Sequence, residues 1–416
     1  MTILEAQGLS ARNAARKLAV AGEGLKNAAL HAMAEALTAR KEEWLAANAA
    51  DLASARAAGM RESLLDRLAL DERRIEGIAE GVRQVAALPD PVGQVVKTTL
   101  RPNGLKLEQR RVPLGVVGII YEARPNVTVD AAALCLKSGN ACILRGGKEA
   151  FRSNKAVITI LRDALESVGL PRDCVALVED TSRESAQQMM DLTEYLDVLI
   201  PRGGAGLIRS VAQNAHVPVI RTGEGVCHVY VHAEADLDMA ARILYNAKCS
   251  RPSVCNAAEC LLVDRAVAED FLPMAWELLQ KKSVTLHGDP EARHILGDFV
   301  LPATAEDWDS EYGDYQLAVR VVSGLEEAMD FIAAHSTGHS EAIVTENYSA
   351  ARRFCDGVDA AAVYVNASTR FTDGFEFGLG AEIGISTQKL HARGPMGLEE
   401  LTSTKYVVYG SGQVRE

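Results

Sequence analysis

The feature that most constrains the fold is a regular alternation of short apolar segments with amphipathic ones in the first half of the chain. Residues 115–120, 141–144, 175–178 and 198–201 are almost wholly apolar. Between them, residues 154–168 carry apolar side chains at helical spacing. Strands that are apolar on both faces and alternate with amphipathic helices are typical of a parallel sheet covered by helices on both sides. The pattern therefore predicts an α/β fold.

The segments before this alternation have a different character. Residues 10–90 are rich in alanine, leucine and arginine and poor in β-branched residues, which favours helices. We expect them to form a helical layer around a core that later residues build. Residues 94–111 alternate polar and apolar side chains around a Pro102-Asn103-Gly104 turn, a pattern typical of a β-hairpin.

A second series of strands and helices begins near Val226. It includes apolar strands at 260–263 and 317–322, each followed by a helical pattern, and we interpret it as a second α/β domain. The chain ends in one more strand-like segment at 406–410. We expect this tail to pair either with the hairpin or with another subunit.

Composition excludes several functions. The chain has 416 residues and a formal net charge of −12, which argues against a general nucleic-acid binder. Its start lacks a basic segment followed by an apolar core, and no apolar stretch is long enough to span a bilayer. The eight cysteines show neither a Cys-x-x-Cys pair nor the spacing of a zinc site. We therefore expect a cytoplasmic protein with no metal and no disulfide framework.

Two glycine-rich turns follow predicted strands, where ligands of open α/β sheets bind. One is Arg145-Gly146-Gly147-Lys148, and the other is Arg202-Gly203-Gly204, which opens a helix. Glycine lets backbone amides approach a phosphate, and each turn carries a fixed positive charge. On spacing alone, an ordinary tight turn explains each equally well. Two basic turns on successive strand–helix units of an acidic chain favour a dinucleotide.

Cys255 lies between a predicted helix at 235–248 and a predicted strand at 260–263. Pro252 ends the helix, and the small residues around the sulfur leave room for a substrate carbonyl. A thiolate adds readily to carbonyl carbon, so Cys255 is a candidate nucleophile. Taken alone, the segment fits an inert core cysteine better. The basic turns upstream reverse that preference.

Eight segments, taken together and in order, match one known family over nearly the whole chain. They are Ile120–Thr128, Leu136–Ala141, Ile143–Ala150, Pro201–Gly204, Ser253–Ala257, Val365–Gly374, Phe377–Glu382 and Lys389–Gly397. On these segments the chain resembles the aldehyde dehydrogenase superfamily and, within it, the γ-glutamyl phosphate reductases. Taken together, the eight segments are highly specific for this family.

The resemblance implies an aldehyde dehydrogenase-like α/β fold, with two domains built on parallel-type sheets and a small β flap used in oligomerisation. We therefore expect an NADP-binding domain at 1–229, interrupted by the hairpin at about 94–111. A catalytic domain would follow at 230–390. Residues 391–416 would form a return segment and an oligomerisation strand, and the protein would be a homo-oligomer.

The resemblance also implies residue roles. Cys255 matches the catalytic cysteine, and Glu311 matches the acid that positions the nicotinamide ribose if a small insertion follows it. Many relatives carry an acid at the position of Lys148, where it binds the adenine ribose hydroxyls. A lysine there suits the 2′-phosphate of NADP. The two basic turns, 145–148 and 202–204, would bind the rest of NADP(H).

One departure from the family concerns water. Aldehyde dehydrogenases that make acids carry a glutamate in a Glu-Leu-Gly-Gly segment, which activates water to cleave a thioester. The matching stretch here is Thr222-Gly223-Glu224-Gly225, which puts Thr222 at that position. Glu224 can replace the base only if the backbone shifts by two residues. Loss of the base suits an enzyme in which phosphate, and not water, cleaves the thioester. Phosphate is already anionic and needs no base to activate it.

The implied activity is NADPH-dependent reduction of L-γ-glutamyl 5-phosphate to L-glutamate 5-semialdehyde, the second step of proline biosynthesis, through a thioester on Cys255. The backbone N–H of Cys255 or the side chain of Asn126 would hold the oxyanion; a plain turn role for Asn126 is an equal alternative. Arg251 would meet the leaving phosphate, and Arg370 or Arg393 the phosphate or the α-carboxylate. For each arginine, an ordinary ion pair is the competing interpretation.

Two other functions stay open. An ordinary aldehyde dehydrogenase that releases an acid is disfavoured by the missing base at Thr222. A binding protein without activity is disfavoured by the intact cysteine and the basic turns. The implied partners are the small-molecule substrate and, functionally, glutamate 5-kinase, with no nucleic acid and no membrane. We expect His228, Cys249 and Cys260 to pack inside the fold without a chemical role.

Overall fold

A computed structural model describes residues 1–122 and 124–415. Ala123, which lies inside one of the segments that carry the resemblance, is outside the described residues, as is Glu416. By compactness the chain forms two units. The first unit contains Met1–Thr222, Gly378–Gly384 and the residues from Met396 onward; the second contains Gly223–Phe377 and Ile385–Pro395.

The first unit opens with helices, as the composition of residues 10–90 predicts. Thr2 caps the first helix by accepting the N–H of Glu5 at 3.1 Å, and Asp71 caps the last by accepting that of Arg74 at 2.6 Å. Apolar side chains on their inner faces, such as Leu30 and Trp44, are fully buried. The helices are α1 Ile3–Leu18, α2 Glu23–Ala39, α3 Lys41–Ala57, α4 Glu62–Leu68 and α5 Glu72–Ala87.

A parallel sheet with the strand order β5-β4-β3-β6 forms the core of this unit. The chain builds outward from β3 to β5 and then returns to the other side of β3 with β6. Ligands of open α/β sheets bind at the carboxyl end of the strands where the order reverses in this way. The elements are β3 Val116–Tyr121, α6 Pro125–Lys137, β4 Ala141–Arg145, α7 Phe151–Ser167, β5 Val175–Leu177, α8 Arg183–Met190, β6 Val198–Arg202 and α9 Ala205–Asn214.

A separate antiparallel sheet of three strands belongs to the same unit. The predicted hairpin forms β1 Val95–Leu100 and β2 Lys106–Pro113, and the tail forms β16 Thr402–Tyr409. The tail pairs with β2 from Thr402 opposite Pro113 to Tyr409 opposite Lys106. Of the two pairings expected for the tail, the one with the hairpin is therefore confirmed. We call these three strands the flap.

The second unit is built on a sheet with the order β10-β9-β11-β8-β7-β12-β13, whose pairs are all parallel. The central strand, β8, is buried along its whole length. The elements are β7 Cys227–Val231, α10 Leu237–Cys249, β8 Ala258–Asp264, α11 Arg265–Leu279, β9 Thr285–Gly288, α12 Pro290–Leu296, β10 Val300–Pro302, β11 Gln316–Val322, α13 Leu325–His335, β12 Ser340–Val344, α14 Tyr348–Gly357, β13 Ala362–Val365, β14 Ile385–Ser386 and β15 Gly394–Pro395.

The boundary between the units lies at 222/223, whereas the sequence placed a domain boundary at 229/230. A boundary at 229/230 would cut β7, which pairs with β8 and β12 and so belongs to the second sheet. Residues 391–395, expected in the return segment, also belong to the second unit. The cofactor-binding and catalytic roles of the two units stay predictions.

A cavity of about 520 Å³ opens on the first unit beside α1 and the start of β3. Its lining includes Arg12, Arg16, Arg111, Asp197 and Lys405, and it contains none of the predicted site residues. Within the described chain, no helix has the length and apolarity needed to cross a bilayer.

Candidate active site

The turn that carries Cys255 connects α10 to β8. Helix α10 ends at Cys249, and the N–H of Ala257 donates to the carbonyl of Val254 at 3.0 Å before β8 begins. The Cys255 residue is half-buried. The sequence placed this helix, turn and strand correctly. A cysteine held on a tight, partly open turn is accessible to a small acyl substrate.

The backbone of Cys255 is packed against the segment that starts the second unit. A Cβ atom on Gly225 would overlap the carbonyl oxygen of Cys255, so only glycine fits at this position. The thiol of Cys227 donates to the same oxygen at 3.2 Å. Sequence reasoning considered Gly225 only as part of the water-activating segment and missed this contact, which joins residues that lie far apart in the chain.

Arg370 is held against the Cys255 turn by the next residue, Asn256. The Asn256 amide donates to the carbonyl of Arg370 at 3.2 Å and to that of Thr372 at 2.9 Å, while its side-chain oxygen accepts the Arg370 guanidinium. The Nε of Arg370 also donates to the Ser250 hydroxyl at 3.0 Å. Arg370 is therefore fixed at both ends of the turn.

The electrostatics place Arg251 in the same cluster. Burial and, after it, the positive charge of Arg251 lower the pKa of Arg370, while Asp373 and Cys255 act in the opposite direction. Two of the predicted substrate-binding arginines thus lie close to the predicted nucleophile. An acyl phosphate approaching Cys255 would meet positive charge where its leaving group develops.

Arg393 lies in a different environment. Its guanidinium donates to Asp359 at 2.8 Å, and Lys389 binds the same carboxylate. Hydrogen bonds from Lys389 and Arg393 lower the pKa of Asp359. Of the two interpretations of Arg393, the described contacts support the ion pair.

Glu311 stands on an exposed loop before β11. The loop is anchored directly after Glu311, because the Tyr312 hydroxyl donates to Asp307 at 2.8 Å and the N–H of Gly313 donates to Glu259 at 3.2 Å. An exposed carboxylate on an anchored loop is suited to the hydroxyls of a ribose. The sequence predicted Glu311 but not the residues that hold its loop.

Buried polar residues behind the turn were assigned no chemistry, and the structure packs them in the interior. His228 pairs with Glu341 at 2.9 Å with neither side chain exposed, and Cys249 and Cys260 are buried. His339 was not considered from sequence. Burial lowers its pKa to about 4, and its Nδ1 lies 2.8 Å from the Ser340 hydroxyl. It is therefore neutral at physiological pH.

In the first unit, Arg145 ends β4 at the predicted ligand edge. Its Nη2 donates to the carbonyls of Thr181 and Ser182, both at 2.8 Å, and its Nε is buried without an acceptor among the described residues. Burial lowers its pKa. Arg145 thus holds the loop before α8 with Nη2. The other guanidinium donors, on Nε and Nη1, are not used by these two hydrogen bonds.

The glycine turn after Arg145 is packed on a polar network. A Cβ on Gly146 would overlap the side-chain amide of Asn154. The Thr128 hydroxyl donates to Asn154 at 2.9 Å and lies 2.7 Å from the hydroxyl of Tyr121. The requirement for glycine at 146 therefore comes from the protein's own packing.

Lys148 begins a 3₁₀ turn, Lys148–Ala150, and is exposed. No ion pair of Lys148 occurs in the part of the chain that the structure describes. A lone exposed cation at the carboxyl edge of a parallel sheet fits the 2′-phosphate of NADP. This donor set, with Arg202 at the end of β6 in the same sheet, is compatible with a phosphorylated dinucleotide.

The second glycine turn already donates a hydrogen bond to a carboxylate of the protein. The carboxylate of Glu122, just after β3, accepts the N–H of Gly204 at 3.0 Å, and a Cβ on Gly203 would lie 2.7 Å from the Glu122 carboxyl carbon. The sequence predicted a phosphate at this helix start. The structure uses the N–H of Gly204 internally, while Arg202 keeps a positive charge beside this turn.

Asn126 is the second residue of α6, and its amide donates to Asp130 at 3.1 Å. Burial raises the pKa of Asp130 to about 6, and the charge of Arg202 partly opposes this rise. Asn126 and Arg202 thus share one cluster at the carboxyl edge of the first sheet. The amide keeps one further N–H, so both interpretations of Asn126 remain possible.

Thr222 is buried, and its hydroxyl donates to the carbonyl of Pro201 at 2.8 Å. Because the Thr222 hydroxyl donates to a backbone carbonyl, it does not serve as a base that activates water. No group of three or more His, Cys, Asp or Glu side chains arranged to hold a metal ion occurs among the described residues.

Comparison with known proteins assigns the chain to a family. The model of the aldehyde dehydrogenase family matches residues 5–297. The chain belongs to the aldehyde dehydrogenase family. The resemblance found on eight segments is thereby confirmed, and so is the two-sheet α/β fold class.

The more similar relatives within this family share one name. The gamma-glutamyl phosphate reductase of Heliobacterium modesticaldum is 60% identical over 412 residues, which are 99% of this chain and 99% of the relative. The crystal structure of gamma-glutamyl phosphate reductase from Thermotoga maritima has a TM-score of 0.98 at 49% identity and covers 100% of both chains. An acetylating aldehyde dehydrogenase from Geobacillus thermoglucosidasius shares the fold, with a TM-score of 0.69 at 15% identity over 99% and 97% of the chains.

Proposed function

We propose that this chain reduces L-γ-glutamyl 5-phosphate to L-glutamate 5-semialdehyde and phosphate, the second step of proline biosynthesis from glutamate. The relatives named gamma-glutamyl phosphate reductase that match it over their whole length support this function. The observation that carries it is the Cys255 turn, where Cys255 is half-buried and Arg370, bound to Asn256, senses the charges of both Arg251 and Cys255. A nucleophile next to two cations suits an acyl phosphate, whose leaving group is an anion.

In the first half of the reaction, the Cys255 thiolate forms a bond to the acyl carbon. The bond from that carbon to the phosphate oxygen breaks, and phosphate leaves with the electron pair. Arg370, held by Asn256 and Ser250, stabilises the charge on the departing phosphate together with Arg251. The product is a thioester on Cys255.

Members of this family use nicotinamide cofactors, and we propose NADPH for this chain. The residues that would hold it are Lys148 and Arg202 at its phosphates and Glu311 at the nicotinamide ribose. When bound, the cofactor supplies the hydride that reduces the thioester carbonyl. The backbone N–H of Cys255 or the amide of Asn126 would stabilise the oxyanion, which collapses as the carbon–sulfur bond breaks and the aldehyde leaves.

Hydrolysis to an acid is the main competing reaction. The Thr222 hydroxyl donates to Pro201, so the position of the water-activating glutamate holds no base. A thioester on Cys255 should therefore wait for hydride in one direction or for phosphate in the other. Glu224, half-buried in the second unit, is the residue to test as a displaced base.

The test of the proposal is the Cys255→Ala variant, assayed for NADPH formation from glutamate semialdehyde, NADP and phosphate. We expect loss of activity with folding and NADPH binding retained, because the thiol carries the covalent step. Cys260→Ala, a fully buried neighbour, serves as the control and should keep its activity. Near-normal turnover by Cys255→Ala would refute the proposed mechanism.

We also propose a homo-oligomer formed through the flap. Its outer strands expose apolar side chains, among them Val96 and Leu100 on β1 and Tyr406 and Val408 on β16. Exposed strand edges with apolar side chains are sites for pairing with another chain. Functional coupling to glutamate 5-kinase stays a prediction.

A further inference from the structure

A buried ion pair lies at the base of the Cys255 turn. The Lys248 ammonium and the Glu259 carboxylate are 2.6 Å apart, and neither side chain is exposed. Moving two charges out of water costs about as much as their attraction returns, and apolar residues of similar size often stabilise a fold as well or better. Stability alone therefore does not explain why this pair is present.

The position of the pair gives a first reason. Lys248 is the last residue but one of α10, and Glu259 is the second residue of β8. The residues between these two elements are 250–257, the turn that carries Cys255. The ion pair thus joins the two ends of this turn and fixes where it leaves the helix and enters the strand.

The second oxygen of Glu259 gives another reason for the presence of the pair. It accepts the backbone N–H of Gly313 at 3.2 Å, two residues after Glu311. The Lys248 ammonium also lies 5.9 Å from the centre of the Tyr312 ring. The same pair that closes the Cys255 turn therefore anchors the loop that carries Glu311.

We propose that Lys248 and Glu259 are positioning residues that hold the nucleophile turn and the Glu311 loop in one fixed arrangement. The inference rests on the proposed function, because it takes Cys255 as the nucleophile and Glu311 as the cofactor-ribose acid. Errors of about 1 Å in the placement of reacting groups can lower rates by about 100-fold. One rigid ion pair that contacts both segments keeps such errors small.

Two double variants with side chains of nearly equal size separate the contribution of the ion pair from that of the acceptor for the Gly313 N–H. Lys248→Met/Glu259→Gln removes both charges but keeps an acceptor for the Gly313 N–H, and Lys248→Met/Glu259→Met removes the acceptor too. We expect both to fold, since neither variant leaves a buried charge without its partner. The Gln variant should lose about fivefold or more in kcat with the NADPH KM near wild type. The Met variant should also raise the NADPH KM, by about tenfold.

Substrate-free measurements separate this proposal from the proposed function. The alkylation rate of Cys255 by iodoacetamide and the Kd of NADPH by fluorescence need no acyl phosphate, so they report on the two segments even if the substrate were different. If the wild-type protein showed no reductase activity, the proposed function would be wrong. Changes in the alkylation rate of Cys255 and in the Kd of NADPH would still test the positioning proposal. Arg265→Gln/Glu291→Gln removes an exposed ion pair of the same unit and should change none of these quantities.

A folded Met variant whose kcat, NADPH KM and alkylation rate stay within about twofold of wild type would overturn the proposal, because the pair would then be dispensable for positioning. If the Met variant does not fold, the Gln variant decides. Wild-type kcat and alkylation rate in the Gln variant would equally overturn it.

Discussion

Several residues of the candidate site are fixed by backbone contacts that a sequence pattern does not display. Gly225 lies so close to the Cys255 carbonyl that no side chain fits between them. Asn256 is buried and uses its amide to place Arg370. At this scale the placement of the Cys255 turn depends on neighbours that come from distant parts of the chain.

Gly225→Ala should therefore lower kcat by about 10-fold or more, because the new Cβ forces the Cys255 backbone to move. Steady-state kinetics and the alkylation rate of Cys255 measure the effect. Gly77→Ala is the matched control, since Gly77 lies in α5 with nothing within 4 Å of an added Cβ. Unchanged kinetics of Gly225→Ala would show that the turn tolerates displacement.

Lys148 allows a residue-scale test of cofactor choice. Lys148→Glu should weaken NADPH binding by about 1–3 kcal/mol and affect NADH binding much less, since the reversed charge faces only the 2′-phosphate. The ratio of the two dissociation constants is the measurement. Lys17→Glu, an exposed charge reversal on α1, is the control. An unaltered NADPH-to-NADH ratio would exclude Lys148 as the residue that contacts this phosphate.

At the scale of elements, the strands of the first sheet were predictable because each is apolar on both faces, as in β3 and β4. The edge of the second sheet was missed. Strand β10 has three residues and exposes Leu301, so it lacks the apolar run of a central strand. Helix α12 carries an Asp289 cap and Pro290 at its start, a signal that the sequence offered and that we did not use.

The flap supplies a prediction at the same scale. Tyr406→Lys/Val408→Lys on β16 should reduce the assembly mass, because two charges would enter the proposed subunit contact, while the fold persists since both side chains are exposed. Light scattering after size-exclusion chromatography measures the mass. Val414→Lys, an exposed substitution beyond β16, is the control. An unchanged mass would place the subunit contact elsewhere.

At the scale of the whole molecule, the resemblance predicted roles for Cys255 and Glu311, but only the structure shows the groups around them. The link from Glu122 to Gly204 and that from Arg145 to Thr181 use protein groups where the sequence suggested phosphate. Such pairings join strands and loops far apart in the chain. Periodicity and spacing describe neighbours along one element, so they cannot predict them.

The account's central claim is that Cys255 forms a thioester which phosphate, and not water, resolves. Its most direct test is the reverse reaction, from glutamate semialdehyde and NADP, followed by rapid mixing with and without phosphate. Without phosphate or arsenate we expect a burst of about one NADPH per Cys255 and then a slow rate, because Thr222 offers no base. Added phosphate should restore fast turnover. Steady, fast NADPH formation without either anion would contradict the claim, and its loss in Glu224→Gln would identify Glu224 as the base.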